Sequence, residues 1–373
     1  MAEYNGADVN IFYVDGENGD DNNGGTGPLA ANSWETIQKA FNELVAGNIV
    51  DGDDVRIMKT TNDATHYGIT SKLTCTWNNK EVIINGANSS GVVDGTIVEI
   101  NGGGLDSSTP MMEISVSTLD SSFFSHLKFN AGGTAQHCVE ATAANNHQIS
   151  FTNCQFTGAT DHGVHHGSVA NYWSFINCRA DNNGGNGIYQ TSSQYGLYYK
   201  CLFDNNGADG LRAGVASSVC DCIFFNNGED GCQITNGGAK VCNCVFDNNG
   251  DQGLRFSGSG QSVAINCIFS NNTNYGVFSY ASGQGTESRH FNSAFYNNHA
   301  GTISAESLSR TSVYNYIEDA TITWGVTADF DFTHNGESPV VGAGIPTHHR
   351  WMGVTASDIG LNNWVNTESI SPF

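Results

Sequence analysis

The sequence predicts an all-β fold in which the chain winds into one long solenoid, and three observations support this prediction. A similar segment recurs at intervals of 21 to 26 residues, with copies that begin at Cys154, Cys178, Cys201, Cys222, Cys244, Cys267 and Ser293. Each copy is too short for two helices with their turns, and its apolar residues and cysteines lie two apart, as in a β-strand. The regular copies also carry Asn-Asn-Gly, whose residues tolerate the left-handed backbone of a tight corner.

The pattern of the regular copy predicts which side chains face inward. In CVFDNNGDQGL from Cys244, the cysteine is followed by Phe after two residues, by an Asn pair after four and by Gly after nine. A coil wound once per repeat places equivalent residues above one another at about 4.8 Å, the spacing of neighbouring strands. The cysteines and phenylalanines are therefore expected to form internal columns, and the Asn side chains a hydrogen-bonded ladder at one corner.

Residues 1–54 are predicted to cap one end of the solenoid. Residues 11–14 (IFYV) form a short strand in this prediction, and residues 33–46 form an amphipathic helix with Ser33 as its N-cap. An open solenoid end exposes core and unpaired strand edges, and an amphipathic helix covers both.

Residues 55–333 are predicted to be the solenoid, with less regular coils first and regular repeats over residues 154–300. Residues 334–373 are expected to be a C-terminal tail, either a cap or an attachment segment. This tail carries apolar side chains that the repeat does not require, and they are predicted to contact a partner. They are Trp351, Met352, Trp364 and Phe373.

The charge of the chain argues against two classes of partner. It has 37 acidic and 14 basic residues, a net charge of −23, so nucleic acid and anionic membrane are both disfavoured. No apolar run approaches the length of a membrane span. The first residues, MAEYNGADVN, lack the basic and apolar regions of a secretory signal, which favours a protein made in a cytoplasm.

The 11 cysteines are expected to be core thiols rather than disulfides or zinc ligands. Cys220 with Cys222, and Cys242 with Cys244, form Cys-x-Cys pairs, whereas zinc sites usually carry Cys-x-x-Cys. Since residues two apart on a strand share a face, both members of each pair are expected to point inward.

An acidic loop near the N-terminus is a candidate calcium site. Asp15, Glu17, Asp20 and Asp21 offer the carboxylate oxygens that Ca²⁺ prefers, although their spacing does not match an EF-hand. The alternative is a solvated turn that needs no cofactor.

The repeats, together with VIINGANSSGVVDG from Val82 and the Tyr-Val-Asp-Gly start, resemble the right-handed parallel β-helix (pectate-lyase-like) superfamily. The resemblance implies a single-domain right-handed parallel β-helix with an N-terminal capping helix. Enzymes of this group act on polysaccharides, yet the Asp, His and Arg motifs of its hydrolases and lyases are absent here. The chain is closest in style to non-catalytic or viral β-helix proteins.

The best catalytic candidates lie in Asp-His-Gly-Val-His-His-Gly, which starts at Asp161. Stacking of coils would bring its histidines near carboxylates and guanidiniums at equivalent positions of later coils, which suits acid–base chemistry on a glycan. The candidate set is His162, His165, His166, Asp209 and Arg212. The alternative is structural, because Asp and Asn are favoured at such corners for turn geometry alone.

Three functions fit these observations. The favoured one is a non-enzymatic β-helix protein on the exterior of a virus particle, as a capsid decoration or tail appendage. Its expected partners are other virion proteins and copies of itself, with surface polysaccharide as a further candidate, and its expected location is the virion. The alternatives are an extracellular polysaccharide lyase or glycoside hydrolase, and a glycan-binding surface protein without catalysis.

Overall fold

The computed structural model describes residues 10–76, 81–115, 121–142, 148–167, 172–258, 260–279, 287–291, 293–303, 311–314 and 317–318. The fold class predicted from the sequence is confirmed: the chain is an all-β, right-handed parallel β-helix with few helices. It divides into two compact units, residues 1–179 and 180–373. The boundaries predicted after residues 54 and 333 stay predictions.

The capping helix α1 spans Ile37–Ala46 and buries Ile37, Ala40, Phe41 and Leu44. Its N-cap is Thr36, whose hydroxyl accepts a hydrogen bond from the backbone N–H of Lys39 at 3.2 Å, so the prediction of Ser33 as N-cap was wrong. Ser33 is instead buried in the preceding turn, where its hydroxyl contacts the carbonyl of Leu29 at 3.3 Å. A second helix, α2, spans Asp63–His66, and no helix of the described residues is long and apolar enough to cross a membrane.

The strands of the first unit are short, as a solenoid with three sides requires. They are β1 (Ile11–Val14), β2 (Asp54–Met58), β3 (Leu73–Cys75), β4 (Val82–Ala87), β5 (Val98–Asn101), β6 (Met112–Ile114), β7 (Ser121–Ser125), β8 (Leu127–Asn130), β9 (Val139–Ala141), β10 (Gln148–Thr152), β11 (Gln155–Thr157), β12 (Val164–His166) and β13 (Ser174–Ile176), with β14 (Arg179–Asp181) at the boundary.

These strands form three parallel sheets in the first unit. Sheet A has the order β1-β2-β4-β7-β10-β13, sheet B β5-β8-β11, and sheet C β3-β6-β9-β12. Neighbouring strands are in register, so like residues stack: Phe124 pairs with Phe151 in sheet A, and Phe129 with Phe156 in sheet B. Both pairs bring their rings together inside the solenoid, at 5.0 and 5.6 Å between centroids.

The second unit contains the regular repeats. Its strands are β15 (Ile188–Gln194), β16 (Leu197–Tyr199), β17 (Leu202–Asp204), β18 (Leu211–Val215), β19 (Ser218–Cys220), β20 (Ile223–Phe225), β21 (Cys232–Ile234), β22 (Lys240–Cys242), β23 (Val245–Asp247), β24 (Leu254–Phe256), β25 (Gln261–Ile265), β26 (Ile268–Ser270), β27 (Tyr275–Ser279), β28 (Glu287–Phe291), β29 (Ala294–Tyr296), β30 (Gly301–Ile303), β31 (Thr311–Tyr314) and β32 (Ile317–Glu318).

The strands of the second unit also form three parallel sheets. Sheet D has the order β16-β19-β22-β25-β28-β31, sheet E β17-β20-β23-β26-β29-β32, and sheet F β15-β18-β21-β24-β27-β30. The predicted phenylalanine column lies inside sheet E, with ring centroids 4.8 to 4.9 Å apart from each coil to the next. It consists of Phe203, Phe224, Phe246, Phe269 and Phe295.

The Asn pair of each repeat forms two ladders at one corner of the second unit. The first Asn is left-handed, with φ of 55° at Asn205 and 54° at Asn226, which is why Asn occupies this position. The second Asn is buried: the amide of Asn227 donates to the side-chain oxygen of Asn249 at 3.0 Å and to the carbonyl of Phe203 at 3.0 Å. The buried ladder thus satisfies the polar groups that the tight corner takes out of water.

The repeat cysteines lie inside the solenoid in both units. Cys154 and Cys178 of the first unit are buried, as are the four of the second unit, Cys201, Cys222, Cys244 and Cys267. Burial raises the thiol pKa of Cys244 and Cys267 well above its ordinary value, so these groups stay protonated.

Candidate functional site

Two equivalent segments of the first unit place four titratable side chains side by side. The sequence HCVE from His137 and the sequence HGVH from His162 are 25 residues apart, about one coil. β9 and β12 pair in register, which sets His165 directly beside Glu140 on the outer face of sheet C. His137 and His162 occupy the corner just before these strands, with ring centroids 5.3 Å apart and nearly parallel planes. We call these four residues the histidine cluster.

Direct contacts join the members of the histidine cluster. Nδ1 of His165 lies 3.2 Å from Oε1 of Glu140, and the rings of His137 and His165 are 4.6 Å apart. The backbone N–H of His162 donates to Nδ1 of His137 at 3.2 Å. Nδ1 of His162 in turn lies 3.2 Å from Oδ1 of Asp161. Each ring is therefore held by a partner of its own.

Burial and hydrogen bonding set the protonation states of the cluster. The hydrogen bond from His165 lowers the pKa of Glu140, so this carboxyl is ionised at neutral pH. Burial, reinforced by the neighbouring His165, lowers the pKa of His137, which is therefore neutral. Because Nδ1 of His137 accepts a hydrogen bond, its proton lies on Nε2.

The Glu140–His165 pair has the form of a general-base dyad. The ionised carboxylate of Glu140 lies at hydrogen-bonding distance from Nδ1 of His165 and orients the ring, and both side chains are partly exposed. His137 adds an N–H donor beside them. The pair can therefore take a proton from a bound hydroxyl or carbon acid and stabilise the resulting imidazolium.

Three of these residues also bring possible metal ligands together. One ligand atom each of His137, Glu140 and His165 lie within 4.8 Å of one another. A metal ion bound through Nε2 of His137 would require its proton to move to Nδ1, which faces the N–H of His162. The geometry therefore favours proton transfer over metal binding.

A row of polar and acidic residues extends the cluster along sheet C. Thr74, Glu113 and Glu140 are register partners on β3, β6 and β9. Glu113 forms an ion pair with Lys72 and accepts from the hydroxyl of Thr142 at 3.3 Å. Lys72, in turn, lines an open cavity of about 510 Å³ with the hydroxyls of Thr70, Ser71, Ser108 and Thr109.

His166 does not belong to the cluster, contrary to the prediction that grouped it with His162 and His165. Neighbouring residues of β12 point to opposite faces, so His166 lies inside the solenoid, 1% exposed and 5.1 Å from the ring of Trp173. Within the part of the chain that the structure describes, neither of its ring nitrogens has a hydrogen-bond partner. Burial lowers its pKa to about 4.

Asp209 and Arg212 lie in the second unit and form a different arrangement. Asp209 is a buried corner residue whose Oδ1 accepts the backbone N–H of Asp230 at 3.0 Å, and Asp230 accepts that of Gln252 at 3.0 Å. Burial raises the pKa of Asp209 to about 6 and that of Asp230 to about 7. Arg212 lies outside, 5.6 Å from the ring centroid of Tyr189. Asp209 therefore accepts a backbone N–H of the next coil and lies apart from the histidines of the first unit.

The four carboxylates of the N-terminal loop do not converge. Asp15 accepts the N–H groups of residues 17 and 18, and Asp20 that of residue 22. Glu17 accepts from Thr61 at 2.8 Å, and Asp21 from Thr36 at 2.7 Å. The loop is therefore tied down by its own hydrogen bonds. The predicted partner-contact residues Trp351, Met352, Trp364 and Phe373 lie outside the described residues.

His137 and Glu140 were missed in the sequence, although a signal was present. The spacing His-x-x-Glu at 137 repeats as His-x-x-His at 162, at an interval of 25 residues that fits the repeat. These partners precede the segment at Asp161 by one coil, and the candidates from later coils lie on its other side.

Comparison with known proteins agrees with this architecture. The family model described as "right handed beta helix region" matches residues 114–262 and 168–317, which together span more than half of the chain. No curated protein matches the sequence.

Two solved structures are similar in fold. The ORF18 protein of Geobacillus virus E2 is 16% identical, with a TM-score of 0.56, and the alignment covers 83% of this chain. This chain spans 60% of the length of that virus protein. The pectate lyase Pel9A is 13% identical, with a TM-score of 0.57, over 94% of this chain and 95% of the lyase. On the family match, this chain belongs to the right-handed β-helix family.

Proposed function

We propose that this chain is a structural β-helix protein on the exterior of a virus particle, as a capsid decoration or tail appendage. The observation that carries the proposal is that the second unit uses its repeated polar side chains to hold its own coils together. A repeat built in this way favours a stiff, protease-resistant body over a reactive surface.

Particular contacts support this reading of the repeat. Asn206, Asn227 and Asn249 each donate to the next Asn of the buried ladder at 2.9 to 3.0 Å. The corner carboxylates of Asp209 and Asp230, which a glycan-cleaving enzyme would expose, are buried and accept backbone N–H groups instead. The polar side chains of the repeat therefore form hydrogen bonds that hold neighbouring coils together.

The likeness to the ORF18 protein of Geobacillus virus E2 is consistent with a virion location. The net charge of −23 would keep crowded copies soluble and away from released nucleic acid. The proposed partners are other virion proteins and copies of this chain, with surface polysaccharide as a further candidate. Residues 334–373 are the proposed attachment segment, through Trp351, Met352, Trp364 and Phe373.

The test is to locate the chain on particles. Particles purified by density gradient are examined by mass spectrometry and by immunogold labelling of intact virions, with the chain expected on the outside in many copies. A chain that lacks residues 351–373 is expected to remain folded by circular dichroism and to be lost from the particles. Recovery of the full chain only from the surrounding medium, never with particles, would contradict the proposal.

A polysaccharide lyase or glycoside hydrolase is the second candidate, and the Glu140–His165 dyad favours it. The fold likeness to the pectate lyase Pel9A extends over nearly the whole of both chains. Under the main proposal, pectate, alginate and host capsule incubated with the protein yield no unsaturated products and no new reducing ends.

Variants of the dyad make this second test decisive. Turnover that is lost in His165→Ala and strongly reduced in Glu140→Gln, and unchanged in His299→Ala, would establish the enzyme and overturn the structural proposal. His299 is an exposed histidine outside the histidine cluster, so its substitution controls for histidine loss in general.

A further inference from the structure

Two cysteines on the outside of the second unit form a pair that the repeat does not require. Cys220 ends β19 and Cys242 ends β22, and the two strands pair in register, Cys220 beside Cys242. Their neighbours in the same row of sheet D are Tyr199 and Ile265. We call Cys220 and Cys242 the outer thiol pair.

The backbone explains why these thiols point outward. Asp221 and Asn243, which follow them, adopt left-handed conformations, with φ of 55° and 53°. A left-handed residue breaks the alternation of the strand, so Cys222 beyond the corner faces the core while Cys220 before it faces out. Cys220 is half-buried and Cys242 is 6% exposed, whereas Cys222 and Cys244 are fully buried. The expectation that both members of each Cys-x-Cys pair point inward was therefore wrong.

The two outer cysteines lie side by side on neighbouring strands as register partners, and both are free of disulfides. The column thiols of the interior, by contrast, donate to carbonyl oxygens, as Cys244 does to Cys242 at 3.2 Å. The outer thiol pair is therefore two sulfur ligands close together and, at Cys220, accessible from solvent.

The number and chemical type of the ligands determine which metal ion the outer thiol pair can bind. In the ranges that the structure describes, no third His, Cys, Asp or Glu ligand atom clusters with these two sulfurs. A zinc ion needs four ligands, so a two-thiolate site serves it poorly. Soft thiolates select Cu(I), which accepts two ligands in line.

The strand spacing matches such an ion. Register partners on neighbouring strands are about 4.8 Å apart. Two sulfurs on opposite sides of one ion are separated by about 4.6 Å, twice a metal–thiolate bond of roughly 2.3 Å.

We propose that Cys220 and Cys242 bind one Cu(I) ion between their sulfur atoms. On binding, both thiols release their protons and each thiolate forms one bond to copper, with no change of oxidation state. Because two protons leave, affinity rises with pH.

The test is a competition titration of the full-length reduced protein with Cu(I), held in the monovalent state by ascorbate, against a coloured Cu(I) chelator. We expect one tightly bound Cu(I) per chain, with affinity that increases from pH 6 to pH 8. Cys220→Ser and Cys242→Ser are each expected to lower the affinity at least tenfold, and X-ray absorption at the copper edge should show two sulfur ligands.

Cys244→Ser is the matched control, because it removes an inner thiol of the same coil. The fold already accepts serine in this slot, since Ser293 is buried there and its hydroxyl accepts the N–H of Cys267 at 3.4 Å. Its affinity for Cu(I) should equal that of the unmodified chain. Affinity that survives in both outer variants, or that falls equally in Cys244→Ser, would overturn the proposal.

Discussion

An equivalent four-residue segment lies at the coil corners of both units, but the residues in it differ. In the first unit it starts at His137 and His162, and in the second at Asn186, Asp209, Asp230 and Gln252. In both units the corner side chain accepts the backbone N–H of the next coil, at 3.2 Å for His137 and 2.8 Å for Asn186. The corner position therefore requires a hydrogen-bond acceptor. The fourth residue of the segment faces outward, so its type differs between coils, as in Glu140, His165 and Arg212.

The units also differ in the titratable groups that they bury: carboxyl groups in the second unit and an imidazole in the first. Burial raises the pKa of Asp209 and Asp230 from 3.8 to about 6 and about 7, so the stability that these groups contribute is lost as pH rises through that range. Burial lowers the pKa of His166 from 6.5 to about 4, so its contribution is lost as pH falls through that range. Between pH 4 and pH 7 the two units are expected to respond to pH in opposite directions.

The largest expected effect concerns the phenylalanine column. Phe224 stacks on both sides, at 4.9 and 4.8 Å, whereas Phe129 stacks less closely on Phe156, at 5.6 Å. Phe224→Ala should lower the free energy of unfolding by about 4 kcal/mol, within the range for a buried aromatic, and Phe129→Ala by less. Denaturant titration followed by circular dichroism measures both. Equal losses would remove the distinction between the regular and irregular coils.

The second-largest loss of stability is expected for a change in the buried Asn ladder. Asn227 accepts two hydrogen bonds from Asn206 and donates to the carbonyl of Phe203 and the side chain of Asn249. Asn227→Ala leaves these buried groups unpaired and should cost about 3 kcal/mol. The exposed neighbour provides the control: Asn226→Gly keeps the left-handed backbone and should cost less than about 1 kcal/mol. A loss at Asn226 as large as that at Asn227 would contradict the structural role assigned to the inner ladder.

The variant Asp230→Asn tests the expected pH dependence of stability in the second unit. The amide keeps the oxygen that accepts the N–H of Gln252, as Asn186 does naturally at the equivalent corner, but has no charge to bury. Above pH 7 this variant should be more stable by on the order of 2 kcal/mol, and below pH 4 the gain should vanish. Unfolding curves at a series of pH values provide the measurement. Destabilisation at pH 8 would show that the charged form is the favoured one.

The smallest effect is expected at His166. His166→Leu removes two unpaired ring nitrogens from the core and should stabilise the first unit by about 1 kcal/mol at pH 7, and by more at pH 5. Hydrogen exchange resolved by peptide can assign the gain to residues 148–167. A gain that shrinks as the pH falls would contradict the neutral state assigned to this histidine.

Much of the fold could be predicted from the sequence because the repeat is periodic. The spacing of cysteine, phenylalanine and asparagine identifies the inward columns and the corner directly, and each lies where it was expected. The spacing did not reveal the left-handed residue at Asp221, which reverses the direction of Cys220 against Cys222. Strand alternation was enough to separate His165 from His166, but the prediction treated them as one motif.

The candidate site was predicted less well than the fold. The structure places His162 and His165 beside His137 and Glu140, which precede them by one coil. Side chains that meet across coils are adjacent only once the register is known. The contact of Asp209 was hidden for a related reason, since sequence does not reveal whether a corner carboxylate faces water or the next backbone N–H.

The buried asparagine ladder also protects the chain against chemical ageing. Asn206, Asn227 and Asn249 each precede glycine, the sequence in which the asparagine amide most readily cyclises and deamidates when the glycine nitrogen can attack it. Here each of those glycine N–H groups is engaged at 2.8 Å with a carbonyl of the neighbouring coil: Gly207, Gly228 and Gly250. Attack requires the corner to open, so deamidation at these sites would record how often each coil has come apart during the lifetime of the protein.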